Sequence, residues 1–202
     1  MELVIASSNL SKVRELRSIL EELLPDLRIR SLVDFPDFCP LEEVKESFKQ
    51  NAVAKAVWAS EQLNKPVITD ESGLVIPYLG NEAISLERKK IHDKDKKLPD
   101  TKKVLEELRG VDEGDRVGFL ECVLAFAVPQ EGLLCSSSAR VEGYIAEEEK
   151  GPASFDFSSI FIKYDYSKTL ANLSDSVLAR ISHRRKACEK LHPSIQSYYR
   201  RS

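Results

Sequence analysis

Apolar and polar positions change period several times along the chain, and each change predicts an element. Leu3-Val4-Ile5-Ala6 is a short apolar run without helical spacing, which predicts a buried opening strand. Beyond Ser7-Ser8-Asn9-Leu10-Ser11-Lys12, the residues Val13, Leu16, Ile19, Leu20, Leu23 and Leu24 recur every three or four positions. That is the period of an amphipathic helix, and Pro25 ends it. Alternation in Arg28-Ile29-Arg30-Ser31-Leu32 predicts a second strand, and the proline-punctuated stretch from Asp34 to Pro40 a loop. Ser47-Phe48-Lys49-Gln50 has the form of a capping box. It opens a helix with a narrow apolar face of Phe48, Ala52, Ala56, Ala59 and Leu63, closed by Asn64-Lys65-Pro66.

The regularity then breaks. Between the apolar runs Pro66-Val67-Ile68 and Leu74-Val75-Ile76 stands Thr69-Asp70-Glu71-Ser72-Gly73, two adjacent carboxylates where sheet is expected. Ionised side chains resist burial unless a cation, a metal or hydrogen bonds compensate them. Two explanations stand: a divalent metal site, or a polar turn between two strands with Gly73 supplying the backbone freedom. Strand alternation sends neighbouring side chains to opposite faces, so a turn starting at the doublet is expected if both carboxylates serve one site.

Residues 87–97 are highly charged and nearly free of apolar positions, reading as solvated surface. Val104, Leu105 and Leu108 mark a short helix that Gly110 stops. Val117 to Val128 and Leu133 to Val141 predict a long antiparallel hairpin that Gly143-Tyr144-Ile145 extends. Ile160-Phe161-Ile162 predicts another strand. A helix starting near Ser174-Asp175 carries Val177, Leu178 and Ile181 inward, and Ser182-His183-Arg184-Arg185-Lys186-Ala187 lies within it or at a break in it. The stretch from about 193 to 202 reads as a frayed tail.

A chain of 202 residues fits one large domain or two small lobes sharing a central sheet, one compact unit being the simpler reading. A formal net charge of -3 gives no global attraction to nucleic acid or an anionic membrane. The basic segment Arg88 to Lys97 is interleaved with acids and lacks aromatics, which argues against nucleic-acid binding. No apolar run is long enough for a membrane helix, and the short acidic start is unlike a signal peptide, so a cytoplasmic protein is expected. Cys39, Cys122, Cys135 and Cys188 are scattered, without metal-ligand spacing, and read as free thiols.

Any anion must therefore be captured locally, and the first strand–loop–helix unit offers a place. The first amides of a helix lack internal partners and carry positive potential, which suits phosphate. Ser7, Ser8, Asn9 and Ser11 are small polar groups beside it, and Lys12 adds a point charge. The alternative is that Ser8 or Ser11 simply caps the helix. The pattern is not that of a P-loop. Glu42, Glu43 and Glu46, just before the second helix, are also stabilising there without being ligands.

Four segments occur in order: Ser7-Ser8-Asn9-Leu10-Ser11-Lys12 after a strand; Glu42-Glu43…Ser47-Phe48…Asn51-Ala52…Lys55-Ala56; Asp70-Glu71-Ser72-Gly73; and Ser182-His183-Arg184…Lys186-Ala187. The series resembles the inosine triphosphate pyrophosphatase family along nearly the whole chain. The resemblance implies an α/β fold, a mixed elongated sheet flanked by helices, with two lobes and the active cleft between them in one domain spanning 1–202. It also implies a homodimer that uses Mg²⁺ to hydrolyse dITP, ITP or XTP to the monophosphate and pyrophosphate, cleansing the nucleotide pool of deaminated purines.

Carried over by position, the resemblance gives Ser7, Ser8, Asn9, Leu10, Ser11 and Lys12 to the triphosphate, with Lys55 adding charge. It implies that Glu43 and Glu71 hold magnesium. The resemblance also makes Glu71 the catalytic base, with Asp70 supporting it and Ser72 touching substrate. By the same resemblance Phe155, Asp156, Phe157 and Ser158 are expected to meet the purine, and His183 and Arg184 to donate to its 6-oxo edge. The sequence also departs from the family. Its Phe-Gly-Tyr-Asp-Pro motif is replaced by Phe155-Asp156-Phe157-Ser158-Ser159, so the family Asp falls on Ser158 unless Asp156 replaces it, and a family lysine falls near Leu178. These departures leave an alternative: a degenerate relative that binds nucleotides with altered base selectivity or weak catalysis.

Overall fold

The computed structural model describes residues 1–41, 47–80, 100–152 and 157–201. Six strands, β1 (Glu2–Ile5), β2 (Arg28–Ser31), β3 (Val67–Val75), β4 (Val117–Val128), β5 (Gly132–Ile145) and β6 (Phe161–Lys163), form a sheet in the order β2-β1-β3-β4-β5-β6. β1 runs parallel to both neighbours, with Val4 opposite Arg30 on one side and Val67 on the other. β6 is antiparallel to β5, with Tyr144 opposite Ile162, so the sheet is mixed. The described helices are α1 (Leu10–Leu23), α2 (Phe48–Leu63), α3 (Asp100–Glu107), α4 (Asp175–Ile181) and α5 (His183–Arg201). This is the mixed α/β arrangement that the resemblance implies, built from strands and helices that the periodicities predict.

The chain divides into two units. The first comprises Met1–Glu71, Cys122–Ala139 and His183–Ser202. In it, parity decides which helix each strand residue meets. Leu3, Ile5 and Ile68 pack with Val13, Leu16 and Leu20 of α1 and with Cys188, Leu191 and Ile195 of α5. Val4 and Val67, one residue out of step, pack with Ala59 and Leu63 of α2 on the opposite face. The small residues Ala52, Ala56 and Ala59 let α2 lie close, and Thr69 Oγ1 donates to the Ala52 carbonyl at 2.8 Å.

The second unit comprises Ser72–Glu121 and Arg140–Ser182. Its core gathers Leu74, Ile76, Val104, Leu108, Val141, Ile145, Ile160 and Phe161. Buried Arg116 ties it together. Its guanidinium donates to the carbonyls of Leu108, just past α3, and of Ile145 and Ala146 at the end of β5, at 2.7, 2.8 and 2.6 Å. Helix-terminal carbonyls without intrahelical partners welcome such a cation.

Two expectations are corrected. β3 runs unbroken from Val67 to Val75 through the acidic doublet, with no turn at Asp70. A turn is unnecessary because each face of the strand meets its own cation, as described below. The C-terminal stretch, expected to fray, is the second half of α5, which continues past Pro193 to Arg201. Tertiary contacts override the proline there: Ile195 is fully buried, Tyr198 meets Phe126 edge-on, and the Tyr199 hydroxyl donates to the Glu2 carbonyl at 2.6 Å.

Candidate active site

Within the first unit, β1 and β3 are adjacent parallel strands whose associated helices, α1 and α2, lie on opposite faces of the sheet. In open α/β sheets such a switch in direction leaves a crevice beyond the carboxyl ends of the strands, where ligands bind. β1 stops opposite Ile68, and the Ala6 amide donates to the Ile68 carbonyl at 2.9 Å. The loop from Ser7 therefore leaves the sheet level with Asp70 and Glu71.

The loop is ordered by its own side chains. Asn9 caps α1, its Oδ1 accepting from the Ser11 and Lys12 amides at 3.0 and 3.3 Å, while Ser7 Oγ accepts from the Asn9 amide at 3.2 Å. The cap expected at Ser8 or Ser11 thus falls on Asn9, whose amide oxygen has the reach to serve two donors. Ser8, Leu10 and Ser11 are exposed, whereas Lys12 is buried.

The doublet is divided between two faces. Asp70 shares the face of Ile68, where Arg184 Nε donates to its Oδ2 at 2.6 Å and the Cys122 thiol lies 3.8 Å from its Oδ1. Glu71 shares the face of Thr69, where Lys55 Nζ of α2 meets its Oε1 at 2.6 Å. Both carboxylates are nearly inaccessible, 4% and 3% exposed, so these cations are what makes their burial tolerable. Asp70 raises the pKa of the buried Cys122 thiol further above the value to which burial already lifts it.

His183 and Arg184 open α5, directly after the break at Ser182. Arg184 is gripped a second time, Nη1 donating to Glu15 Oε2 of α1 at 2.8 Å. Burial works against its charge, but Asp70 and Glu15 more than offset this and hold the guanidinium pKa above its usual value. Burial and the adjacent Arg184 charge pull the His183 pKa down to about 3, so its ring is neutral at physiological pH. A neutral imidazole offers one donor and one acceptor. Lys12 makes itself felt here as well, its charge disfavouring a proton on His183.

The structure therefore brings Lys12, Asp70, His183 and Arg184 together on one face of the sheet, with Lys55 and Glu71 on the other. Sequence reasoning missed Glu15 and Cys122. Glu15 follows Lys12 by three residues, so helical spacing puts both on one side of α1. Its partner lies 169 residues away, and no local pattern announces it. Ser72, buried, follows the doublet on β3 in the second unit. Phe157 and Ser158 sit in a short 3-10 turn, Phe157–Ser159, where Phe157 packs into the core of the second unit beside Ile160 and Phe161. Glu43, Phe155 and Asp156 lie outside the described residues.

Among the described residues no group of three or more His, Cys, Asp or Glu side chains is arranged to hold a metal. Magnesium takes one or two protein carboxylates and completes its octahedron with phosphate oxygens and water. Glu71 offers hard carboxylate oxygens of the kind this ion takes, so its donor chemistry fits, with Lys55 the cation that it faces in this structure.

Comparison with known proteins gives this geometry a context. Residues 3–194 match the Ham1 family. A protein of Chlamydia abortus named dITP/XTP pyrophosphatase is 37% identical over 201 residues, covering 97% of this chain and 95% of its own. One of the same name from Bacillus licheniformis is 38% identical over 191 residues, covering 94% and 95%. The solved structure of a HAM1 protein from Coxiella burnetii superposes with a TM-score of 0.80 at 31% identity, covering 98% and 99% of the two chains. A nucleoside-triphosphatase / dITP/XTP pyrophosphatase from Mycobacterium abscessus superposes with a TM-score of 0.73 at 26% identity, covering 95% and 98%. The chain belongs to the Ham1 family.

Proposed function

We propose that the protein is a cytoplasmic, homodimeric hydrolase that splits deaminated purine nucleoside triphosphates, dITP, ITP and XTP, into the monophosphate and pyrophosphate. The observation that carries this reading is the pairing of buried Glu71 with half-buried Lys55 at the switch point between β1 and β3, level with a polar loop at a helix N-terminus. A triphosphate needs both fixed positive potential and a carboxylate near the bond to be broken. The relatives' names supply the substrate class.

The residues divide the work. Ser7 to Lys12 hold phosphate oxygens through hydroxyl, amide and ammonium donors. Lys55 compensates Glu71 before substrate arrives and then shares its charge with the phosphates. Glu71 takes a proton from the attacking water at its carboxylate oxygen, the water oxygen bonds to the α-phosphorus, and the bond from that phosphorus to the bridging oxygen breaks to release pyrophosphate. Glu71 together with Glu43 would hold magnesium, which when bound would supply positive charge against the negative charge developing on the leaving group. Neutral His183 and cationic Arg184 donate to the 6-oxo group, an acceptor that adenine lacks.

The direct test is a release assay that separates pyrophosphate from orthophosphate across dITP, ITP, XTP, dGTP and dATP, with and without Mg²⁺. The reading requires pyrophosphate from the first three, dependent on Mg²⁺, and little from dATP. Tight ITP binding without turnover would instead support a nucleotide-binding relative that has lost catalysis.

A further inference from the structure

The acidic doublet is split by strand parity, and its two halves belong to different networks. Glu71 faces α2 and Lys55, while Asp70 faces α1 and α5. Arg184 therefore joins three separate elements: its own helix α5, strand β3 through Asp70, and helix α1 through Glu15.

The two grips fall on different nitrogens of one planar group, Nε on Asp70 at 2.6 Å and Nη1 on Glu15 at 2.8 Å. A single contact would leave the guanidinium free to turn about it, whereas two anchors define its plane and direction. The anchors are unequal. The Asp70 side chain is wholly buried, while that of Glu15 is 38% exposed and its attraction is partly screened. Asp70 thus fixes where the guanidinium sits, and Glu15 trims how it is turned. Glu15 also lies one turn beyond Lys12 on α1, so the helix whose N-terminus opens the phosphate loop carries the carboxylate that orients the base-reading arginine.

We infer that Asp70 and Glu15 form a two-carboxylate clamp that positions Arg184 for base selection, making Glu15 a positioning residue and placing Asp70 on the recognition side of the site rather than beside Glu71 in hydrolysis. The inference rests on the proposed reading in which Arg184 meets the base. Through α1, the clamp couples the grip on the phosphates to the grip on the purine.

The test compares full-length wild type, Glu15→Gln, Glu15→Ala and Glu71→Gln by steady-state kinetics on dITP, XTP and dATP in Mg²⁺, with thermal unfolding of each. Glu15→Ala is expected to raise KM for dITP and XTP by about tenfold, to lower kcat less than about threefold, and to narrow the discrimination against dATP. Glu15→Gln, which keeps an acceptor for Nη1 but loses the charge, should fall between Ala and wild type. Glu71→Gln should lower kcat on every nucleotide alike. A Glu15→Ala enzyme that melts earlier but keeps its KM values and its dITP-to-dATP ratio would show a mere helix–helix tie and overturn the inference. So would a loss confined to kcat. Failure of the wild type itself to turn over dITP would instead strike the proposed function.

Discussion

Lys55 Nζ lies 2.6 Å from Oε1 of Glu71, a carboxylate only 3% exposed on the strand that follows the lysine's helix. Folding has taken this carboxylate out of water and met it with a cation from one face of the sheet. Lys55→Met removes that hydrogen-bonded cation and should destabilise the protein by about 2 kcal/mol. Urea unfolding would show it as a lower midpoint at an unchanged slope. Glu71→Gln in the Lys55→Met background should recover part of the loss. A midpoint equal to wild type in Lys55→Met would mean that the pair does not stabilise the fold.

Asp70 depends on Arg184 more heavily, since its side chain has no exposure and Arg184 is itself only 13% exposed. Truncating one member of such a buried pair leaves a charge without its counter-charge, costing about 3–5 kcal/mol. Arg184→Ala should therefore melt roughly 10 °C below wild type. Arg184→Lys should not restore it, because an ammonium cannot reach two carboxylates from two edges of a plane. A melting temperature within a degree or two of wild type for Arg184→Ala contradicts the structure.

His183 makes stability depend on pH in one direction. Its pKa in the folded chain is about 3, against about 6.5 in an unfolded one. Above pH 6.5 both states are neutral there and nothing is lost. Between pH 6.5 and 3 the unfolded chain takes up a proton that the folded chain refuses, so stability falls as pH falls, by about 1.4 kcal/mol per unit at the steepest. His183→Asn should flatten unfolding free energy against pH in that window. The same slope in variant and wild type would remove the histidine from the account.

The end of α5 is structural. Tyr199→Phe deletes the donor to the Glu2 carbonyl and should cost about 1 kcal/mol, read from denaturant unfolding. A chain ending at His192 should lose considerably more, because Ile195 and Tyr198 leave the core with it. Full stability of that truncated chain would restore the reading of a frayed tail.

Much of the fold is written in local periods. The three-and-four spacing from Val13 to Leu24 and the small-residue face of α2 place both helices, and the long apolar run from Val117 predicts its hairpin. At the doublet, alternation was legible, but the turn expected from it is absent: Asp70 and Glu71 face opposite ways on an unbroken strand. What the sequence could not show was that each face would supply its own cation, because Arg184 lies 114 residues beyond Asp70. The same distance problem hides Glu15. In α5 the spacing Ala187, Leu191, Ile195 was present, but Pro193 obscures it, and only the docked core shows the helix continuing. Asn9 rather than a serine caps α1 because cap chemistry is shared by several polar residues, and geometry alone selects among them.

The most direct test of the central claim is turnover of dITP by wild type and Glu71→Gln in saturating Mg²⁺, following pyrophosphate. Removing the base and metal donor together should lower kcat at least about a thousandfold, while circular dichroism shows a folded chain. A Glu71→Gln enzyme that releases pyrophosphate at the wild-type rate would contradict the mechanism at its root.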